Sequence, residues 1–219
     1  MSFITNKRTV ERIADAKLPT IYGEFRIAGY RSLTSGEEFV ALVRGDLRGG
    51  RPALARIHSQ CLTGDVFSSV KCDCGQQLKA AMRLIADEGR GAIVYQMQEG
   101  RGIGILNKIR AYSLQDGGAD TIEANERLGL AADLRRYEQC SEILRDLGLS
   151  RVRLITNNPE KIEAVRSSGL ILTEVVSPAL KFHKQAARYL RTKREQMGHM
   201  IDLPEELYEQ RTSCGMQAV

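Results

Sequence analysis

The chain has 219 residues, of which 42% are hydrophobic and 27% charged, an ordinary globular composition with enough length to bury a sizeable core. It contains no apolar run near the roughly 18 residues that a membrane-spanning helix needs, and with 5% aromatics and no Trp it offers few stacking platforms for single-stranded nucleic acid. The net charge of +5 suits an anionic small molecule as well as a nucleic acid and decides neither. No signal-peptide pattern opens the sequence, so a reducing, cytoplasmic compartment is expected and disulfides are not.

In chain order, the first third reads as β-rich. Residues 21–30 alternate in part, and residues 39–44 and 53–57 form two apolar runs separated by Gly45-Asp-Leu-Arg-Gly-Gly50, a hairpin or short loop. Beyond residue 75 the period changes. Leu78, Ala81, Met82 and Ile85 recur at helical spacing and predict an amphipathic helix ending near Gly89. A short buried strand over 92–95 follows, then a Gly-rich loop and a helix with Ile105, Leu106, Ile109 and Tyr112 on one side. A further helix carries Tyr137, Cys140, Leu144 and Leu147 and stops at Gly148. Strands over 152–155 and 171–176 flank a helix opened by Pro159, and a basic helix spans 183–197. This succession predicts a layered α/β protein with a mixed β-sheet and flanking helices. Residues 1–203 are expected to form a single domain, and 204–219 a flexible tail.

Three of the five cysteines fall at spacing Cys61-x10-Cys72-x-Cys74. Three thiolates make three corners of a zinc tetrahedron and leave the fourth open, as in catalytic sites; closed structural sites need four ligands, usually in paired motifs. Zinc lowers the pKa of bound water to about 7, so a hydrolytic metal site is the leading reading. The competing reading is buried or redox thiols. His58 or Cys140 would close the site, but His58 is better suited to hydrogen bonding beside it.

Two loops join a strand to a helix. Gln98-Glu-Gly-Arg-Gly-Ile-Gly104 is neither a Walker A loop nor a dinucleotide fingerprint, since Ile105 stands where a third glycine belongs. Arg101 within it favours phosphate over a mere turn. In Thr156-Asn-Asn-Pro-Glu-Lys161, Asn158 is a natural helix cap, while Lys161 reaches either a phosphate or solvent. Asp133-Leu-Arg135 reads as an acid at a helix start, and its spacing alone indicates no catalysis.

Taken together, these motifs resemble GTP cyclohydrolase II over residues 10–169. The segments that carry the likeness are 55–65 and 71–78, 98–104, 107–116 and 120–125, Asp133-x-Arg135 and Thr156-Asn-Asn-Pro-x-Lys161. The resemblance implies hydrolysis of GTP to a diaminopyrimidinone phosphate, formate and pyrophosphate, the first step of riboflavin synthesis. It implies zinc on Cys61, Cys72 and Cys74, and Mg2+ with the substrate phosphates. Arg135 is implied as the nucleophile toward the α-phosphate, or as a stabiliser of its charge, Asp133 as its proton acceptor, and Tyr112 as a phenol beside the reacting ring rather than a core residue. The implied GTP contacts are Arg56, Gln77, Glu99, Gly100, Arg101, Thr121, Thr156 and Lys161. A homodimer is implied, with no nucleic-acid or membrane partner. The segment 177–188 departs from the family pattern, and some members stop before formate is lost. A zinc-stabilised nucleic-acid-binding module is the non-enzymatic alternative.

Overall fold

Val10–Thr20 (β1) and Gly23–Ser32 (β2) pair antiparallel, and Glu38–Arg44 (β3) continues the meander. Ala53–Ser59 (β4), the short helix Leu62–Asp65 (α1), Cys74–Glu88 (α2) and Gly91–Gln96 (β5) follow. After a 3-10 turn over Glu99–Gly102 come Gly104–Asp116 (α3), Thr121–Arg127 (α4) and Glu138–Asp146 (α5). Arg151–Ile155 (β6), Pro159–Ser167 (α6), Ile171–Val176 (β7) and, after a second 3-10 turn, Ala187–Met197 (α7) complete the order. This computed structural model describes residues 8–118, 121–130, 133–178, 180 and 183–204, without the side chains of Thr121, Ile122 and Asn125. The expected flexible tail, apart from residue 204, lies outside the described residues, as do 179, 181 and 182 of the divergent segment.

The seven strands form one mixed sheet in the order β1-β2-β3-β5-β4-β6-β7, antiparallel from β1 to β5 and parallel from β5 to β7. The expected layered architecture is therefore present. On one face, Ala41, Val43, Ala55, Ile57, Val94 and Leu154 bury against Ile143 and Leu144 of α5 and Val165 of α6. On the other, Leu54, Ile93 and Ile155 meet Ala81 and Ile85 of α2. That helix runs as its periodicity predicts and ends at Gly89, which takes the left-handed cap conformation at φ 72°. Among the described residues no helix is long and apolar enough to cross a membrane.

One expectation narrows to its short-loop form and another fails. The runs now assigned to β3 and β4 are not a hairpin, because β5 inserts between them, antiparallel to one and parallel to the other. The 45–52 connection is held as a crossover by Arg90, whose guanidinium donates to the carbonyls of Asp46, Leu47, Arg48, Arg51 and Pro52. The apolar side expected of α3 is not core: Leu106 and Ile109 are 72% and 52% exposed, and only Ala111 is buried. Strand β1 escapes the sequence pattern because Val10 is its one buried residue.

Strands β4, β5 and β6 run parallel, so the segments that follow them emerge on one side of the sheet. These are Cys61, the Gly-rich loop and the 156–161 loop. In open α/β sheets ligands bind at the carboxyl ends of strands, where loops converge.

Candidate active site

The three cysteines come together where α1 meets the start of α2. Their sulfurs all lie within 4.8 Å of one another, with Cys61 Sγ 3.6 Å from Cys72 Sγ. Asp65 fixes the Cys61 turn by accepting from its backbone N–H at 3.0 Å, and it also accepts from Tyr95 Oη at 2.9 Å. Glu99 holds the same turn from the other side, accepting from the Leu62 N–H at 2.6 Å. Lys108 of α3 donates to Cys61 Sγ at 3.1 Å and to Glu99 Oε1 at 2.8 Å. Hydrogen bonds from Cys72 and Cys74 pull the Cys61 thiol well below its ordinary range, and the same bonds with Cys61 push Cys72 up to about 11 and Cys74 well above its ordinary range. Of the three sulfurs, Cys61 Sγ is the one that the Lys108 ammonium contacts. Three soft donors facing a cleft fit a zinc ion with one open position.

That cleft spans about 750 Å³, part of it continuous with solvent, and is lined by the cysteines, Glu99, Arg101, Lys108, Tyr112, Arg135 and Tyr189. Tyr112 lines the cleft rather than a core, its hydroxyl 3.4 Å from Thr63 Oγ1. Gly100 and Arg101 both sit at φ 62°, Arg101 being a non-glycine in left-handed backbone. Both terminal nitrogens of Arg101 are buried without a hydrogen-bond partner, and its guanidinium lies 5.9 Å from the Tyr189 ring centroid. Arg101 O accepts from the Leu134 N–H at 2.9 Å, and a Cβ on Gly102 would come within 3.0 Å of Leu134 Cβ. The Gly-rich loop therefore positions the segment that carries Asp133 and Arg135.

Those two residues form a forked ion pair, Arg135 Nε donating to Asp133 Oδ1 at 2.9 Å and Nη2 to Oδ2. They do not stand at a helix start: residues 133–137 are irregular and α5 begins at Glu138, so Asp133 compensates a guanidinium and not a helix dipole. Burial pulls the Arg135 charge down, but the bonds to Asp133 prevail and hold it above its ordinary range. The converse balance keeps Asp133 below the usual carboxylate range, since its bonds to Arg135 outweigh burial.

Beyond Arg135 the cleft continues into a polar end lined by Arg56, Gln77, Thr156, Asn157, Lys161, Lys193 and His199. Arg56 is buried and donates to Gln77 Oε1 at 2.6 Å, Ile155 O at 3.2 Å and His58 Nδ1 at 3.2 Å. Because a guanidinium only donates, His58 Nδ1 is unprotonated and Nε2–H donates to Asp65 at 3.0 Å. Burial lowers Arg56 to about 10. Lys161 Nζ donates to Ile57 O at 3.0 Å, and burial, then Arg135, Arg56 and Lys193, drive its pKa well below the ordinary range. Asn158 caps α6 as its sequence suggests, accepting from the Glu160 N–H at 2.8 Å.

A family model described as GTP cyclohydrolase II matches residues 11–177. The chain belongs to the GTP cyclohydrolase II family. It is 50% identical over 193 residues to GTP cyclohydrolase-2 of Escherichia coli, covering 88% of this chain and 98% of that protein. It is 53% identical over 196 residues to the riboflavin biosynthesis protein RibBA of Salinispora tropica, covering 89% of this chain but only 49% of that protein. The chain thus spans about half the length of the RibBA relatives it matches. A solved two-domain 3,4-dihydroxy-2-butanone 4-phosphate synthase from A. baumannii aligns over 79% of this chain and 42% of its own, with 23% identity and a TM-score of 0.47.

Within this family member the structure gathers Cys61, Cys72, Cys74, Glu99, Gly100, Arg101, Tyr112 and Arg135 around the cleft, with Asp133 bound to Arg135, and Arg56, Gln77, Thr156 and Lys161 around its polar end. The Thr121 side chain lies outside the described residues. Cys140 is not a ligand: it is buried on α5, its Sγ donating to Gln96 Oε1 at 3.0 Å. His58 is spent on Asp65 and Arg56. Sequence reasoning missed Lys108, Asp73, Tyr189, Lys193 and His199. Lys108 had a legible signal, since it stands four residues before Tyr112 and shares its helix face.

Proposed function

We propose that this chain hydrolyses GTP to 2,5-diamino-6-(5-phosphoribosylamino)pyrimidin-4-one, formate and pyrophosphate, the opening step of riboflavin biosynthesis. The carrying observation is the junction of a three-thiol cluster with a cleft that holds buried, unpartnered arginine nitrogens. Cys61, Cys72 and Cys74 would hold zinc, which when bound supplies Lewis-acid activation of water near neutral pH. Tyr112 and Glu99 border the ring-opening end. Arg101, beside the Asp133–Arg135 segment, has two unpartnered donors, and Lys161 sits among Arg56, Arg135 and Lys193 with its charge disfavoured. A polyphosphate relieves both conditions at once, and Mg2+ travels with its phosphates.

Arg135 stands between the two ends. Its raised pKa and ion pair with Asp133 support a permanently cationic clamp on the α-phosphate more than a neutral nucleophile. Asp133 orients that clamp and, bound to it, would be the carboxylate that takes a proton from an attacking group. Residues 1–203 act as one catalytic unit in this reading. Exposed Val66, Phe67, Leu106 and Ile109 leave apolar surface that supports a homodimer.

The test is to incubate zinc-loaded protein with GTP and magnesium and to measure formate and pyrophosphate together. Equal yields are expected, and Cys72→Ser should abolish formate. Pyrophosphate without formate would instead identify a family member that retains the formyl group. Neither product, with salt-sensitive binding to RNA or DNA, would overturn the enzymatic reading in favour of a binding module.

A further inference from the structure

Helix α7 and the Gly198–His199 turn form a wall of the polar end of the cleft. Lys193 is only 7% exposed although it is a lysine. Its Nζ donates to Asp73 Oδ1 at 3.1 Å and lies 5.0 Å from the Tyr189 ring centroid. Asp73 is itself buried between Cys72 and Cys74, and also accepts from Gln77 Nε2 at 2.6 Å. His199 Nδ1 lies 3.0 Å from Asn157 Oδ1, and the Met200 N–H donates to Asn157 O at 3.0 Å. The C-terminal segment therefore clamps the 156–161 loop from above while presenting an ammonium beside it. Among the described residues lining this end there is no carboxylate, whereas Arg56, Arg135, Lys161 and Lys193 all line it. Ser59, Cys74, Arg135 and Tyr189 line both ends of the cleft, so Arg135 marks their junction.

We infer that Lys193 is a phosphate-binding residue of this site, gripping the β- and γ-phosphates that leave as pyrophosphate, and that α7 closes the polar end over them. The inference rests on the proposed reading of the cleft as a GTP site, with the α-phosphate at Arg135. From that junction, the two further phosphates extend into the end bounded by Arg56, Lys161 and Lys193. Asp73 holds the ammonium in place in the free protein, and Gln77, which also binds Asp73, keeps that carboxylate satisfied when Lys193 turns to the ligand. Lys193 is a binding residue here, and His199 a positioning residue acting through Asn157.

The test uses the full-length, zinc-loaded protein and magnesium pyrophosphate as the calorimetric probe, alongside steady-state kinetics with GTP. Lys193→Met should weaken pyrophosphate binding and raise the KM for GTP by about tenfold, the loss of one charge-assisted hydrogen bond. Inhibition by guanosine, which has no phosphates, should not change, and Lys193→Arg should restore most of the loss. Should Lys193→Met fail to fold, the charge-neutral pair Lys193→Gln/Asp73→Asn carries the same expectation, with zinc content checked. A folded variant that binds pyrophosphate as tightly as the unaltered protein would overturn the inference, as would an unaltered protein that does not bind pyrophosphate. If the unaltered protein binds pyrophosphate but produces neither formate nor pyrophosphate from GTP, the failure belongs to the functional reading and not to Lys193.

Discussion

Gly75 meets Gly64 so closely that a Cβ at position 75 would lie 2.1 Å from the Gly64 carbonyl oxygen. Gly64 is constrained in turn, since a Cβ there would come within 3.0 Å of Cys72 Sγ and 3.2 Å of Cys61 Sγ. The two glycines let α1 settle against the first turn of α2, and that contact brings Cys61 to the other two thiols. The obstacle at position 75 is backbone, which no side-chain rotation relieves.

Gly75→Ala should therefore separate the thiol cluster. Overpacking of this kind costs about 1–3 kcal/mol of stability. The sharper readout is metal: zinc per chain should fall well below one while far-UV circular dichroism stays folded. Full zinc occupancy in the variant would show that the two helices can part without losing the site.

Lys108 offers a second handle on the same cluster. It donates to Cys61 Sγ at 3.1 Å and to Glu99 at 2.8 Å, and so offsets thiolate charge in a half-buried position. Partners that hydrogen-bond to metal ligands typically contribute about 10–100-fold in metal affinity. Lys108→Met should lower zinc affinity in that range, measured by competition with a chelator, whereas Lys108→Arg should lower it less. Unchanged affinity in Lys108→Met would leave the lysine a role toward substrate alone.

The thiol cluster and both loops were legible because they sit in short strings: cysteine spacing, a Gly-rich turn with one arginine, and a proline-opened helix. Strand order was not legible. Short linkers suggest that runs 39–44 and 53–57 are neighbours, yet β4 is buried from Ala53 to His58 as a central parallel strand must be, and the alternating β3 is not. Lys193 and His199 were hidden for a different reason. A basic terminal helix reads as a solvated face, and only tertiary packing reveals that Asp73, more than a hundred residues earlier, draws one of its lysines inside.

Acid should loosen the fold through two histidines. Burial, then Arg56 and Lys161 against the opposing pull of Asp65, lowers His58 to about 4, with Tyr95 stacked on its ring. Burial, then Lys193, Arg135, Lys161 and Arg101, lowers His199 to about 2. With folded values below the unfolded value near 6.5, the unfolded chain binds more protons as pH falls, so stability is full above pH 6.5 and declines beneath it. For His58 the decline runs to about pH 4 and amounts to roughly 3 kcal/mol. His58→Gln, which can still accept from Arg56 and donate to Asp65, should remove about half of the histidine-driven slope in urea-unfolding free energy between pH 6.5 and 5, the other half belonging to His199. An unchanged slope would mean that His58 charges without resistance in the folded protein.

Arg101 separates stability from binding. It combines left-handed backbone at φ 62° with two buried, unpartnered guanidinium nitrogens, a pairing of costs that concentrates at functional positions. Arg101→Gly relieves the backbone cost of about 1–2 kcal/mol and the burial of unpaired donors. Against this stand the entropy that glycine adds to the unfolded chain, about 0.4–1 kcal/mol, and the lost contact with Tyr189, about 0.5–1 kcal/mol. The terms nearly cancel with a tilt toward stabilisation, so the thermal midpoint without nucleotide should hold or rise. Nucleotide should behave oppositely: the upward shift of the midpoint that GTP gives the unaltered protein should shrink, reflecting at least about a tenfold loss of affinity for one phosphate-binding arginine. A variant that melts several degrees lower without nucleotide yet keeps the full GTP shift would make Arg101 a structural residue and remove it from the phosphate site.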